Sequence, residues 1–205
     1  MTQSLGRMKE SPSQTAGPYV HIGLTPNFCG ISGVYESDLG STMVNDKTRG
    51  ERIALNIRVL DGTGTPIKDA LIEIWQADPE GKVCRAPGSI RRDGWTFTGL
   101  GRAATDPQGH YWFSTLEPGA TQPGRPPFIA VTVFARGLLD RLFTRAYLPD
   151  PEVAGEDPLL DTIDSDRRGS LIATRDEQGL VFDIHLQGPR ETVFLSFPKH
   201  RGVWA

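Results

Sequence analysis

Short strand-like runs separated by tight turns constrain the fold of this chain more than any other feature of its sequence. In residues 53–60, isoleucine, leucine or valine occupies every second position, which is the period of a β-strand with one buried face. The turn-forming segment DGTGTP follows at 61–66. The same pattern predicts further strands over residues 70–76, 102–105, 110–116, 128–135, 141–148, 171–174, 180–186 and 192–197.

Eight or nine short strands joined by turns are typical of an all-β protein, and we expect a two-sheet β-sandwich. The 23 glycines and 16 prolines interrupt the runs, so helix should be scarce. One exception lies in residues 157–168, where Leu159, Leu160 and Ile163 follow Pro158 with helical spacing. This segment predicts a short helix at the edge of the sandwich.

The domain organisation follows from where the strand pattern begins. A length of 205 residues suits one large all-β domain, and we expect a core domain over residues 51–205. Residues 1–50 show little periodicity and are rich in proline and glycine. We expect them to form an irregular N-terminal arm that packs on a partner chain.

Charge and composition exclude several classes of protein. The 22 basic and 25 acidic side chains give a formal charge of -3 without a basic block, which argues against a nucleic-acid partner. The first ten residues lack an apolar signal core, and the longest uncharged apolar run, 128–135, is too short to cross a bilayer. We therefore expect a soluble cytoplasmic protein. Cys29 and Cys84 suggest neither a disulfide framework nor a zinc site.

Three segments point to one family. They are SQTAGPY at 13–19, EIWQADPEGK at 73–82, and a stretch at 101–111 in which GR is followed by TDPQGHY. In this order and spacing they resemble the intradiol ring-cleavage dioxygenases, over about residues 11–197. The resemblance implies a sandwich of the intradiol dioxygenase or transthyretin-like type and a role in the breakdown of aromatic compounds.

The resemblance also implies a metal, which the matching residues of this chain do not support. Catalytic members hold Fe(III) with two tyrosinates and two histidines, because hard anionic oxygen ligands suit a ferric ion. The corresponding positions here are Val83, Thr121, Phe128 and Ala130, the last two within the segment GRPPFIAV at 124–131. We therefore expect this chain to contain no metal ligand and no catalytic residue of its own.

A rebuilt iron site elsewhere is a weaker alternative. Of the four histidines and four tyrosines, only Tyr19 and His21 are spaced so that they would share one face of a strand. Such a site would still need two further ligands, and nothing in the sequence places them.

The resemblance implies a partner. Some members of the family pair an iron-free alpha chain with a homologous iron-binding beta chain in a hetero-oligomer of alpha-beta units, and their active site lies at the interface. The segment with Thr15, Gly17, Pro18 and Tyr19 would then line the substrate pocket, because glycine and proline keep its backbone slim and fixed. The alternative is a purely structural role, as an N-terminal turn that packs across the interface.

Arg136 is the second candidate for the pocket, because the implied substrate bears a carboxylate beside its catechol. An interface or surface salt bridge is the alternative for this arginine. The aromatic residues at 75, 95, 112, 113 and 134 are expected in the core or at an interface. Two rival functions stay open: a self-sufficient intradiol enzyme with relocated ligands, and a transthyretin-like binding module without a catalytic partner.

Overall fold

The computed structural model describes residues 15–85, 97–149 and 157–197. Its strands form two sheets, in which most neighbouring strands are antiparallel. The first sheet contains β1 (Arg52–Leu60), β4 (His110–Leu116), β7 (Thr174–Asp176) and β8 (Gly179–His185), in the order β4-β1-β8-β7. The second contains β2 (Leu71–Gln76), β3 (Leu100–Ala104), β5 (Phe128–Phe134) and β6 (Leu142–Tyr147), in the order β3-β2-β5-β6. The expected two-sheet β-sandwich is confirmed.

The core lies between the sheets and follows from the two-residue period of the strands. On β1 the odd-numbered apolar residues from Ile53 to Val59 are buried, and on β5 the alternate residues Ile129, Val131 and Val133 face them. Phe113 is fully buried among them. Because these residues point inwards, their neighbours on β2, β5 and β6 face away from the core and are available to form a site.

Aspartates in two turns accept hydrogen bonds from the local backbone N–H groups, as is typical of turn-forming sequences. The Oδ1 atom of Asp61 accepts hydrogen bonds of 2.8 Å from the N–H groups of Thr63 and Thr65, in the turn that crosses from β1 to β2. Asp106 does the same, at 2.9 Å, for Gln108 and His110 in the turn from β3 to β4. These bonds stabilise two of the connections between the sheets.

Two predicted strands are wrong. Residues 171–174 begin instead as a 3-10 turn, Gly169–Leu171, and the strand starts only at Thr174. Residues 192–197 form a single bridge, between Leu195 and Phe143. Side chains satisfy the local backbone in this region: the N–H of Val193 donates to Ser170 Oγ at 3.1 Å. A continuous ladder is therefore not needed there.

The predicted helix over 157–168 is present as two single turns, α2 (Pro158–Asp161) and α3 (Ser165–Arg168). Asp157 caps the first, since its Oδ1 accepts from the N–H of Leu159 at 2.8 Å. The chain bends between the two turns, where the Arg168 side chain donates to the carbonyl of Ile163 at 2.9 Å. No helix in the described part of the chain is long and apolar enough to cross a membrane.

A further helix, α1 (Pro18–Leu24), was not predicted, because the sequence before residue 50 shows no helical period. Pro18 occupies its first turn, where its missing N–H costs no hydrogen bond. Later in the same segment, Met43 is buried in the core. The role of residues 1–50 as a partner-binding arm remains a prediction, and residues 1–14, with Ser13 and Gln14, lie outside the described ranges.

The predicted aromatic residues differ in their surroundings. Phe113 belongs to the core, as expected, whereas Trp75 and Trp112 are each about half exposed, at 49% and 56%. Their place at an interface stays a prediction. Trp95 lies outside the described ranges.

Candidate functional site

An apolar cavity of about 310 Å³ lies on the face of the second sheet that is turned away from the core. The four positions at which the family resemblance would place iron ligands, Val83, Thr121, Phe128 and Ala130, all line it. Its remaining described lining comprises Trp75, Gln76, Ala77, Val131, Thr132, Phe143, Thr144, Arg145, Leu195 and Phe197.

Strand period and register bring two of these positions together. Phe128 and Ala130 are two residues apart on β5, so they face the same side. Ala130 is paired with Trp75 on β2 and with Arg145 on β6, which places all three across the floor of the cavity.

The other two positions come from loops whose backbones touch. Val83 follows β2, and Thr121 precedes β5. The N–H of Gly119 donates to the carbonyl of Asp78 at 2.9 Å, and a side chain at Gly81 would overlap the backbone of Ala120. Close packing of these two loops holds the upper wall of the cavity in place.

The side chains at the four positions do not fit a ferric ion. Val83, Phe128 and Ala130 have no donor atom, and Thr121 offers only a neutral hydroxyl. Arg145 is the one charged residue among the described residues of the lining, and it is a cation. Across the described ranges, no group of three or more His, Cys, Asp or Glu side chains is arranged to hold a metal ion.

Arg145 is fixed by three contacts. Its guanidinium carbon lies 3.9 Å from the centre of the Phe128 ring. Its Nη1 donates to the hydroxyl of Tyr147 at 3.0 Å and lies 3.7 Å from Asp157 Oδ2. The Tyr147 hydroxyl donates in turn to the same Asp157 oxygen at 3.1 Å. The positive charge is therefore held beside the cavity by a buried network.

Tyr147 is bonded to Arg145 beside the cavity, but its chemistry does not suit a metal ligand. The residue is 1% exposed, and burial raises the pKa of its phenol to about 12. The side chain is therefore a neutral hydrogen-bonded phenol at ordinary pH. It is a structural partner of Arg145 and Asp157.

The alternative pairing of Tyr19 with His21 on a strand is wrong, because both lie on α1. Residues two apart on a helix point in widely different directions. Tyr19 is 85% exposed, whereas His21 is buried with Nε2 2.6 Å from the carbonyl oxygen of Asp69 and Nδ1 3.2 Å from Thr25 Oγ1. Both ring nitrogens of His21 have protein partners.

The residues predicted to bind substrate meet at the end of β5. Thr15 Oγ1 accepts from the N–H of Gly137 at 2.7 Å and approaches the carbonyl oxygen of Ala135 at 3.4 Å. These bonds place Thr15 against the backbone on both sides of Arg136. Gly17 precedes α1 in an extended conformation, and Pro18 and Tyr19 begin the helix.

Arg136 has a carboxylate partner, as the alternative role in an interface or surface salt bridge requires, but its side chain is also open to solvent. Its Nη2 lies 2.8 Å from Asp69 Oδ2, and its side chain is 62% exposed. Asp69 has a positive φ of 61° and also accepts from His21 through its carbonyl. The result is a connected group of Thr15, His21, Asp69 and Arg136.

Sequence reasoning missed the part of the cavity contributed by β6 and the C-terminal segment. Arg145, Phe143 and Phe197 carry no motif, and only the register of β5 against β6 places Arg145 opposite Ala130 and Phe143 opposite Thr132. The alternation along β6 would have predicted which of its residues face outwards. It would not have predicted which strand they lie against.

Comparison with known proteins agrees with the fold. A family model described as dioxygenase matches residues 25–188. The chain therefore belongs to this family of intradiol dioxygenases. Within it, the chain is 36% identical over 195 residues to the protocatechuate 3,4-dioxygenase alpha chain of Burkholderia cepacia, covering 91% of this chain and 97% of that one. It is 37% identical over 201 residues to the alpha chain from Pseudomonas putida, covering 93% and 98%.

A beta chain is also similar. The protocatechuate 3,4-dioxygenase beta chain of Burkholderia cepacia is 34% identical over 175 residues, covering 76% of this chain and 73% of that one. Among solved structures, catechol 1,2-dioxygenase from Pseudomonas arvilla C-1 superposes with a TM-score of 0.53 at 24% identity, covering 72% of this chain and 55% of that chain. That structural likeness concerns the fold alone.

Proposed function

We propose that this chain is the iron-free alpha subunit of a protocatechuate 3,4-dioxygenase. The observation that carries the proposal is the cavity at which Val83, Thr121, Phe128 and Ala130 meet. Four positions that are distant in sequence converge as the ligands of a metal site would, yet they offer no anionic donor. Similarity to alpha chains along more than nine tenths of the sequence supports the same assignment.

The partner in this proposal is a homologous beta chain that holds Fe(III), in a hetero-oligomer of alpha-beta units. Similarity to the Burkholderia beta chain supports it, because two chains of one fold can pair through related surfaces. The iron of the beta chain would activate the catechol of protocatechuate towards O2. The product would be 3-carboxy-cis,cis-muconate, as part of the β-ketoadipate pathway of aromatic catabolism.

The contribution of this chain would be the wall of its partner's substrate pocket. Thr15, Gly17, Pro18 and Tyr19 start from a backbone that is bonded to the end of β5, and Tyr19 extends into solvent there. Arg136 adds a positive charge at the same edge, which suits the carboxylate of protocatechuate. A rigid, exposed and cationic edge is what an interface pocket for an anionic catechol requires.

Iron content and oxygen uptake on protocatechuate test the proposal. The chain is purified alone and also together with a beta-type chain from the same source. We expect the lone chain to lack iron and activity, and the pair to contain iron, to absorb visible light through tyrosinate-to-iron charge transfer, and to consume oxygen.

The two rivals give different results. Iron and turnover in the lone chain would show a self-sufficient enzyme with relocated ligands, and would overturn the proposal. Failure to associate with any beta-type chain would instead favour a transthyretin-like binding module. Association should bury a large, mostly apolar interface, since obligate pairs bury more than transient ones.

A further inference from the structure

We infer that the apolar cavity of this chain is itself a metal-free binding site for a small planar aromatic carboxylate. Every residue in the described lining of the cavity belongs to this chain. The inference therefore does not depend on the proposed pairing with an iron-bearing chain.

The size and lining of the cavity select the body of the ligand. A volume of about 310 Å³ lies at the lower end of the range for small-molecule sites, and suits a single substituted ring. Three phenylalanines, Phe128, Phe143 and Phe197, and the half-exposed Trp75 line it. Phe143 and Phe197 meet edge to face with centroids 5.6 Å apart, so this part of the wall is aromatic and suits a flat apolar ring.

Arg145 selects the charge of the ligand. It is the one charged side chain in the described lining, and its guanidinium is held flat against Phe128 at 3.9 Å. Its bonded contacts within the described ranges use Nη1, towards Tyr147 and Asp157, so that Nε and Nη2 have no acceptor there. The Arg145 side chain is 24% exposed, and a guanidinium beside an apolar wall favours a carboxylate over a neutral or cationic group.

Asp157 does not remove this preference. Its Oδ1 accepts from the N–H of Leu159 at 2.8 Å, and its Oδ2 accepts from Tyr147 at 3.1 Å. Both oxygens therefore have donors besides Arg145, and the arginine can serve a second carboxylate with its remaining N–H groups. Thr144, although it lines the cavity, donates its hydroxyl to the carbonyl of Val193 at 2.9 Å and offers less to a ligand.

The test is a titration with 4-fluorobenzoate followed by 19F NMR, on the full chain as it purifies, alone or with its partner. We expect saturable binding at one site per chain. Ala130→Phe fills the floor of the cavity and should abolish that site. Arg145→Gln should weaken binding at least tenfold, as should replacement of the probe by 4-fluorobenzamide, which lacks the charge and needs no protein variant.

The matched control is Arg58→Gln. Arg58 also pairs with an aspartate, Asp183, but it lies on β1 of the opposite sheet. The Arg58→Gln variant should leave the affinity for 4-fluorobenzoate unchanged. Thermal unfolding of each variant separates loss of the site from loss of the fold.

Two results would overturn the inference. One is the absence of saturable binding to the wild-type chain, and the other is binding that Ala130→Phe and Arg145→Gln leave unchanged. In a complex with an iron-bearing partner, a ligand at the iron is recognised by paramagnetic broadening of its resonance. If the complex binds the probe only there, the partner fills the cavity and the inference fails, while the proposed function still stands.

Discussion

At the scale of the residue, a single arginine determines the electrostatics of the cavity. Arg145 is paired in register with Ala130, which is one of the four positions at which the family resemblance would place an iron ligand. Its cation is placed by Phe128, Tyr147 and Asp157 together. A positive charge in this place opposes the binding of a second cation and favours an anion.

Replacing Tyr147 with phenylalanine should destabilise the protein. The variant removes a buried hydroxyl that donates to Asp157 and accepts from Arg145. Loss of these bonds, one of them to a carboxylate, should lower the free energy of unfolding by about 1–3 kcal/mol. Urea unfolding measures this, with Tyr35→Phe at a more exposed position as the control. Equal stability of the two variants would contradict the network.

Tyr147 also predicts a dependence of stability on pH. Its pKa is raised from 10.0 to about 12, chiefly by burial, so the folded state retains the proton that the unfolded state releases. The contribution is therefore complete below pH 10 and is lost as the pH rises towards 12. The difference in unfolding free energy between wild type and Tyr147→Phe should shrink over this interval. A constant difference across it would show that the phenol titrates normally.

Arg136 makes a prediction about substrate affinity in the proposed complex. Arg136→Gln keeps a polar side chain but removes the charge, so KM for protocatechuate should rise about tenfold or more with a smaller change in kcat. Stability should change little, because the ion pair with Asp69 is exposed. Steady-state oxygen uptake measures both constants, with Arg58→Gln as the control. An unchanged KM would leave Arg136 a surface salt bridge.

At the scale of the element, two glycines determine how closely the two loops of the cavity wall pack. Gly81 has a φ of 78°, and the loop of residues 78–82 lies directly against residues 118–121. A methyl group at Gly119 would overlap the carbonyl oxygen of Pro79. The two loops approach at the level of the backbone, and only residues without a side chain permit this.

Gly119→Ala should therefore destabilise the protein and disturb the cavity. A buried backbone clash typically costs about 1–3 kcal/mol, and the shift of the loop should weaken binding of any ligand that contacts Thr121. Gly169→Ala is the matched control, because no atom lies within 4 Å of its added methyl group and its φ of -55° is helical. Thermal unfolding compares the two, and equal melting temperatures would show that the loops yield without strain.

At the scale of the whole molecule, the second sheet carries both the cavity and the end of β5. The face of β5 towards the core is continuous isoleucine and valine, whereas its outer face contains Phe128 and Ala130. The strand ends next to Arg136 and Thr15. One strand thus connects two of the positions at which the family resemblance would place iron ligands to the edge proposed to meet the partner.

The segment before β1 predicts where the partner binds. Phe28, Ile31, Val34 and Tyr35 form an exposed apolar stretch, with Val34 at 55% exposure. Changing Val34 and Tyr35 together to serine should weaken association with a beta-type chain at least tenfold while leaving the melting temperature of the lone chain unchanged. Size-exclusion chromatography over a dilution series measures association. Pairing as tight as in the wild type would place the interface elsewhere.

Much of the fold follows from local patterns. The period of residues 53–60 and 128–135 predicted β1 and β5, and the segment at 61–66 predicted the turn that follows β1. The failures have a common cause. In residues 169–171 and 192–197, side-chain hydrogen bonds and packing against β6 replace a ladder, and no local pattern reports such distant partners.

The sequence by itself determined the residue types at the four positions where the family resemblance would place iron ligands: valine, phenylalanine and alanine have no ligand atom in their side chains, and threonine has only a neutral hydroxyl. Only the tertiary structure decided what surrounds these positions. Strand register brought Arg145 to Ala130, and close contact between glycine-containing loops brought Val83 to the same cavity as Thr121. Register and loop contact depend on residues far apart in the chain, and so the cavity and its charge could be seen only once the sheets were assembled.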